Sequence, residues 1–327
     1  MIDAFKNDFN WMLRETKGYF PWIHDNPDRL ARHLCWNHRR RCPMCDERFL
    51  QPRELVRAIT EENVCENPLF DLVLKALIRA EVRLMSRFIP QRSHEERLTG
   101  NLVSEIDNAI FLIGKQFKKT CLALYALEKE IDFFYYDLSR GGTIEKATGA
   151  DLGLILVVDL PDFPYTVKSL ILQAKKISGN PAQIERNQYE TLMTHGASEC
   201  AYLFYDMDLA RRCSPLVVSV GQYNLKNGHE ECAKKDNDSF SITFDKARSA
   251  GHPLSLFVVS HLAYGNSIGA KHDSFKTAFR MFADLCPPQR SRRDSGIGDF
   301  NGRLAILSLG RSIRFGTPHN EGMEIDV

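Results

Sequence analysis

The chain has 327 residues, of which 43% are hydrophobic and 26% are charged. These fractions are typical of an ordinary folded protein and exclude a disordered, collagenous or coiled-coil chain. The 43 Lys and Arg residues nearly balance the 42 Asp and Glu residues, for a net charge of +1. This balance argues against a globally basic nucleic-acid coat protein but leaves room for a local basic cleft.

The hydropathy and cysteine patterns favour a cytoplasmic protein. No apolar run reaches the roughly 18 residues that a membrane span needs, and residues 1–6 lack the continuous apolar core of a signal peptide. The nine cysteines are an odd number and unevenly spaced, with four of them between Cys35 and Cys65. A secreted disulfide framework would look different, so we expect a reducing compartment, no membrane and buried thiols.

Residues 1–90 are predicted to form a mainly helical region. Apolar residues recur three or four apart near Phe5 and Phe9 and again over 52–89, as on one face of a helix. A further apolar stripe over 91–131 predicts one or two more helices. Because Pro90 closes the first region, we place a domain boundary there, with an α/β domain over 91–327.

The rest of the chain alternates between strand and helix signals. Runs of apolar, β-branched or aromatic residues predict strands at 133–136, 152–158, 166–174, 201–205, 216–220, 254–260 and 304–309. A helix is predicted over 181–196, and residues 287–303 are predicted to be a loop. The expected fold class is therefore α/β, with a mixed central sheet flanked by helices.

The predicted hairpin of strands 152–158 and 166–174 carries a polar group at one end. Its turn centres near Asp162 and Phe163, which places Asp151 across from residues 174–175. Adjacent strands lie about 4.8 Å apart, and Gln173 and Lys175 share a face because they are two residues apart. An acid, an amide and an amine therefore converge at this end.

This set of residues suits the hydrolysis of phosphodiester bonds. A carboxylate such as Asp151 can hold a divalent metal, which polarises a phosphate and lowers the pKa of bound water. Lys175 can orient that water or stabilise developing charge. The carbonyl oxygen of Ala174 is a further hard ligand, and Mg²⁺ or Mn²⁺ would suit such oxygens.

The segments Gly149-Ala150-Asp151-Leu152 and Gln173-Ala174-Lys175 resemble the core motif of the PD-(D/E)XK nuclease superfamily. The resemblance is to its Mrr-like branch, in which the second acid is commonly Gln, and it covers about residues 92–220. It implies a restriction-endonuclease-like fold and a role for Gln188, on the following helix, beside the metal or the phosphate. Since Gln173 replaces an acid, metal binding is expected to be weaker.

Relatives often carry a Glu on a helix before the hairpin, and the resemblance implies one here. Glu105 is the first choice for this metal ligand, Glu96 is the second and Glu145 is the third. An ordinary buried hairpin with a polar end is the alternative to the whole site.

A Cys/His cluster precedes this domain and predicts a structural zinc site. Its ligands would be Cys35, His38, Cys42 and Cys45, the last two in a C-x-x-C turn. Few residues separate the Cys35/His38 pair from the Cys42/Cys45 pair, so Cys65 or His33 could replace one of these ligands. Without zinc, the cluster would be two buried thiols beside a surface His. Arg39, Arg40 and Arg41 lie between the pairs and are candidates for phosphate contacts.

The first hypothesis is a Mg²⁺-dependent endonuclease acting on DNA. The resemblance also implies a role as an effector in bacterial defence against phage, held inactive until a partner protein or second messenger releases it. The second hypothesis is an inactive nuclease fold that binds nucleic acid or serves as a scaffold. RNA as the substrate and a homo-oligomer both stay open. The C-terminal segment is locally basic, with Arg290, Arg292, Arg293, Arg303, Arg311 and Arg314.

Overall fold

A computed structural model of the chain describes residues 3–14, 52–61, 64–65, 67–137, 151–211, 213–222, 239–265, 267–285, 303–311 and 313. The first helices are α1 (Lys6–Arg14), α2 (Pro52–Glu61), α3 (Pro68–Arg83) and α4 (Glu95–Tyr125). A π-helical segment, Leu84–Phe88, and a 3-10 turn, Ile89–Gln91, continue α3. No helix in the described part of the chain is long and apolar enough to cross a membrane.

The strands and remaining helices follow α4. In chain order they are β1 (Ile131–Asp137), β2 (Leu152–Val158), β3 (Thr166–Ile177), β4 (Ala182–Glu185), α5 (Arg186–His195), β5 (Cys200–Asp206), β6 (Leu216–Ser219), β7 (Ser239–Ile242), α6 (Phe244–Ala250), β8 (His252–Pro253), α7 (Leu254–Leu256), β9 (Ala270–His272), α8 (Phe275–Leu285) and β10 (Arg303–Leu309). A π-helix, Phe257–Tyr264, continues α7.

The central sheet is mixed, as predicted. Its strand order is β1-β10-β2-β3-β5-β6-β8, with β9 beside the first part of β3. The pairs β10–β2 and β3–β5 are parallel, and the other pairs are antiparallel. Strands β4 and β7 form a separate two-stranded sheet.

Helices cover both faces of this sheet, which explains why its central strands are so apolar. All seven residues of β2 are buried. On one face, Leu154 and Leu172 line an internal cavity together with Leu77 of α3 and Leu102 of α4. On the other face, the ring of Phe282 in α8 lies against β2. A Cβ at position 153 would come within 2.4 Å of that ring, so any other residue there would force Phe282 to shift.

The N-terminal helices share the core of the α/β part. Helix α3 packs against both α4 and α7, and α1 packs against α3. One hydrophobic cluster runs from Phe5 and Phe9 to Leu309 and Ile313. The predicted domain boundary at residue 90 therefore does not separate two cores within the described residues.

Most predicted strands are confirmed, and two predictions were wrong. The strand predicted over 254–260 is helical, since a short apolar run that is buried on all sides carries no periodicity to distinguish the two. The helix predicted over 181–196 begins only at Arg186. The preceding residues alternate between buried and exposed, with Ala182 and Ile184 inside, as a strand requires.

A buried carboxylate joins α3 to the start of α7. Glu81 accepts hydrogen bonds from the backbone N–H and the hydroxyl of Ser255, at 2.8 and 2.9 Å. Its side chain is fully buried, and this desolvation raises the pKa of Glu81 to about 8. The hydrogen bonds thus position α7 against α3, while the burial favours the protonated acid.

We expect stability to fall with rising pH because of Glu81. Between its ordinary pKa of 4.5 and about 8, the folded protein holds a proton that the unfolded chain has released. Stability from this group is complete below pH 4.5, and it declines by at most about 1.4 kcal/mol per pH unit up to pH 8. Glu81→Gln keeps neutral hydrogen bonding, so urea denaturation from pH 5 to 8 should show a flatter profile for this variant.

The control is Glu81→Leu, which deprives Ser255 of its acceptor and should be less stable than Glu81→Gln at every pH. Parallel pH profiles for the wild type and Glu81→Gln would contradict the assignment.

Candidate active site at one end of the central sheet

The predicted polar end of the β2–β3 hairpin forms around Asp151, immediately before β2. The backbone N–H of Asp151 donates to the carbonyl of Leu172 at 2.9 Å. Its carboxylate oxygen Oδ2 accepts the backbone N–H of Ala174 at 2.8 Å. Because Leu152 lies opposite Leu172, Asp151 lies beside Gln173, one to two residues from the predicted register. The convergence of the acid and the amide is confirmed.

The side chain of Gln173 is held between two oxygens. Its nitrogen Nε2 donates to Asp151 Oδ2 at 2.6 Å and to the carbonyl oxygen of Ala174 at 3.2 Å. The residue is 1% exposed, and its Oε1 is buried without a hydrogen-bond partner among the described residues. The amide nitrogen faces Asp151 because a carboxylate attracts an N–H group. A 180° rotation of the amide would exchange the two atoms.

The backbone edge of β3 explains this clustering. Beyond Leu172 no residue of β2 is left to pair with β3, whereas its other edge is paired with β5 as far as Ile177. Two N–H groups on this unpaired edge of β3 donate to side-chain carboxylates instead. Asp151 accepts from Ala174, and Glu95 accepts from Lys176 at 2.8 Å. Since these amides are two residues apart, the carboxylates lie about 7 Å apart along one edge.

Glu95 is a site residue that the sequence analysis missed. It occupies the first turn of α4, where a negative charge interacts favourably with the helix dipole. The helix start is held over the sheet by Thr99, whose hydroxyl lies 3.1 Å from that of Tyr205. Burial raises the pKa of Tyr205, and the nearby carboxylates of Asp151 and Glu95 raise it further. An acid at a predicted helix start, one turn before a polar Thr, is the signal that would have found it.

The predicted helix acids lie elsewhere. Glu105 accepts from Arg83 at 2.6 Å, and Arg83 also contacts Asp8 at 3.5 Å. Ten residues of helix, about 15 Å, separate Glu105 from Glu95, and no described contact joins Glu105 to Asp151. Glu96 pairs with Arg303 at 3.4 Å. Glu145 lies outside the described residues.

The two neighbouring lysines at the end of β3 point to opposite faces. Lys175 shares the face of Gln173 and is half-buried, and its side chain forms no hydrogen bond or ion pair within the described part of the chain. Lys176 lies on the other face, and its ammonium donates to the carbonyl of Ser93 at 3.4 Å. Gln188 lies in the first turn of α5, and its Oε1 is buried with no partner in the described ranges. No hydrogen bond joins Gln188 to the hairpin.

The predicted zinc ligands Cys35, His38, Cys42 and Cys45, with His33 and the Arg39–Arg41 run, lie outside the described residues. Cys65 is described, and burial raises the pKa of this thiol well above its ordinary value. No group of three or more His, Cys, Asp and Glu side chains suited to a metal occurs among the residues that the structure covers.

The basic C-terminal residues are not gathered at the site. Arg303 lies at the start of β10 and pairs with Glu96. Arg311 lies over the ring of Tyr165, 5.8 Å from its centre, near the other end of the hairpin. Arg290, Arg292, Arg293 and Arg314 fall outside the described ranges.

Comparisons with protein-family models, with curated proteins and with solved structures found no match for this chain.

Glu95→Ala should lower the free energy of unfolding by about 1–3 kcal/mol, because it leaves the N–H of Lys176 without its acceptor. Glu95→Gln keeps an acceptor oxygen and should lose less. Urea denaturation of the two variants measures the difference. Equal losses would mean that this hydrogen bond contributes nothing to stability.

Proposed function

We propose that the chain is a metal-dependent endonuclease acting on DNA, with its active site at the edge of β3. The observation that carries the proposal is the convergence of two oxygens, Asp151 Oδ2 and the Ala174 carbonyl, on the position now held by Gln173 Nε2. Both oxygens belong to the motif that resembles the PD-(D/E)XK core. The restriction-endonuclease-like fold is part of the same proposal.

The residues present fit a small divalent cation. Two oxygens already face a group that carries partial positive charge, and the Oε1 of Gln173 is an orphaned oxygen that a turn of the amide would bring to the same place. A set of one carboxylate, one carbonyl and one amide oxygen suits Mg²⁺, which keeps several of its waters. Bound there, the ion would polarise a phosphate and lower the pKa of coordinated water.

The other residues of the site have separate roles in this proposal. Lys175 has no side-chain partner among the described residues, so its ammonium can contact a phosphate oxygen or orient the attacking water. Glu95 takes the place that the sequence analysis gave to Glu105, since it lies on the same edge as Asp151. Gln188 is kept as a candidate for substrate contact because its buried oxygen lacks a partner among the described residues.

The second candidate function is a nuclease fold that binds nucleic acid without cleaving it. Two N–H groups already engage Asp151 Oδ2, and Gln173 brings no negative charge. Both features weaken metal binding. Structural zinc at Cys35, His38, Cys42 and Cys45, the role in phage defence and control by a partner protein are further proposals that rest on the sequence alone.

Lys175→Met should abolish cleavage, whereas Lys176→Met should retain most of it. The two lysines are neighbours in one strand, but only Lys175 shares the face of Gln173. Asp151→Asn should also be inactive because it removes the anionic ligand. The measurement is cleavage of supercoiled, linear and single-stranded DNA and of RNA, each with Mg²⁺, Mn²⁺ or EDTA. Equal activity of the two lysine variants would reject the site, and binding without cleavage in the wild type would favour the second function.

Gln173→Glu should make the protein more responsive to Mg²⁺. A Glu at this buried position stands beside Asp151, so the two carboxylates repel each other until a cation or a shared proton relieves them. The variant should melt at a lower temperature without Mg²⁺ and gain more from its addition than the wild type does. Gln173→Leu keeps the bulk, removes the ligand oxygen and should be inactive. A fully active Leu variant would remove Gln173 from the metal site.

A further inference from the structure

The middle of α4 presents an apolar side chain to solvent. Phe111 is 83% exposed, more than any other large hydrophobic residue in the described part of the chain, and the adjacent Leu112 is 39% exposed. The opposite side of the helix is buried against the sheet and α3, with Ala109, Ile110 and Ile113 inside. The apolar exposure therefore belongs to a defined outer face, here named the Phe111 face, made of Asp107, Phe111, Gly114 and Lys115.

Gly114 leaves a hollow beside Phe111. A glycine inside a helix costs about 1 kcal/mol relative to alanine. A Cβ at position 114 would meet no atom within 4 Å, so the described packing of the chain gives no steric reason for this glycine. A hollow of this kind lets the backbone or a side chain of another molecule approach closely.

The charges on the Phe111 face are arranged symmetrically. Asp107 lies four residues before Phe111 and Lys115 lies four residues after it, so the three side chains form one ridge. Neither Asp107 nor Lys115 forms an ion pair among the described residues. Partial burial raises the pKa of Asp107.

We propose that the Phe111 face binds the same face of a second copy of this chain, with the two α4 helices antiparallel about a two-fold axis at Phe111. The two-fold rotation brings the two Phe111 rings together. It also places the Asp107 of each chain opposite the Lys115 of the other chain. When i, i+4 ridges of two helices interdigitate, the ridges lie side by side and the helices cross at the commonest angle, about −50°. A two-fold interface must be self-complementary, and an acid and a base at equal distances from the centre meet that condition.

The expected dimer is weak. A single helix crossing lies at the lower end of the size range of specific interfaces. Dissociation in the micromolar range is therefore expected, and sedimentation velocity of the full chain over that range should show a reversible monomer–dimer equilibrium.

Two single substitutions with a mixing experiment test the arrangement. Asp107→Lys and Lys115→Asp each place like charges opposite one another at both ends of the interface. Each should weaken self-association at least about tenfold. An equimolar mixture of the two variants restores both attractive pairs and should regain the dimer. Lys276→Asp makes the same charge change on the exposed side of α8 and should leave the equilibrium unchanged.

Phe111→Ser and Gly114→Leu test the apolar part of the same interface. The first removes the central contact and the second fills the hollow, so both should shift the equilibrium to monomer. Because both positions are exposed or open, thermal melting should stay near that of the wild type. A wild type that is monomeric throughout the range, or a mixture that stays monomeric, would overturn the proposal. Neither result depends on whether the chain cleaves DNA.

Discussion

The candidate site exists because strand β3 is longer than the part of it that pairs with β2. Strand β3 runs to Ile177, but its pairing with β2 ends at Leu172. The N–H groups beyond that point would be costly to leave buried without acceptors. Side-chain carboxylates take the place of a strand there, and for that reason two acids from distant parts of the chain lie along one backbone edge. For the same reason the carbonyl of Ala174 has no partner in β2. The difference in strand length thus explains both the unpaired N–H groups and the cluster of oxygens.

Helix α4 is held by polar contacts at two points in its first half. Near its start, Thr99 meets Tyr205 of β5. Further along, Glu105 forms an ion pair with Arg83, which links α4 to α3 and, through Asp8, to α1. Removing one partner of such a pair would leave a buried charge uncompensated, so Glu105 is explained by the assembly of the helices.

The sequence predicted the hairpin well because both strands are buried on both faces and their apolar runs are bounded by turn residues. The convergence of Asp151 and Gln173 followed from that hairpin alone. The sequence did not show that Glu95 lies beside the end of β3 and Glu105 does not, because the apolar stripe of α4 shows which face is buried but not which turn lies at that edge. The orientation of the Gln173 amide is decided by the negative charge of its neighbour, which no strand pattern records. The strand prediction for residues 254–260 was wrong because a wholly buried helix and a wholly buried strand are equally apolar.

Helix α4 carries both Glu95 of the proposed active site and the Phe111 face of the proposed dimer, so each proposal constrains the other. Glu95 and Phe111 are sixteen residues apart, or about 24 Å along the helix. In an antiparallel pair crossing at Phe111, the two Glu95 ends lie on opposite sides of the crossing, roughly 40–50 Å apart. That separation corresponds to about a dozen base pairs of duplex. Two such sites could not reach opposite strands at one position, so a dimer of this geometry would make separate nicks and not a single double-strand break. If the proposed site is formed by one chain alone, self-association would affect how the protein is held on nucleic acid and not the assembly of the site.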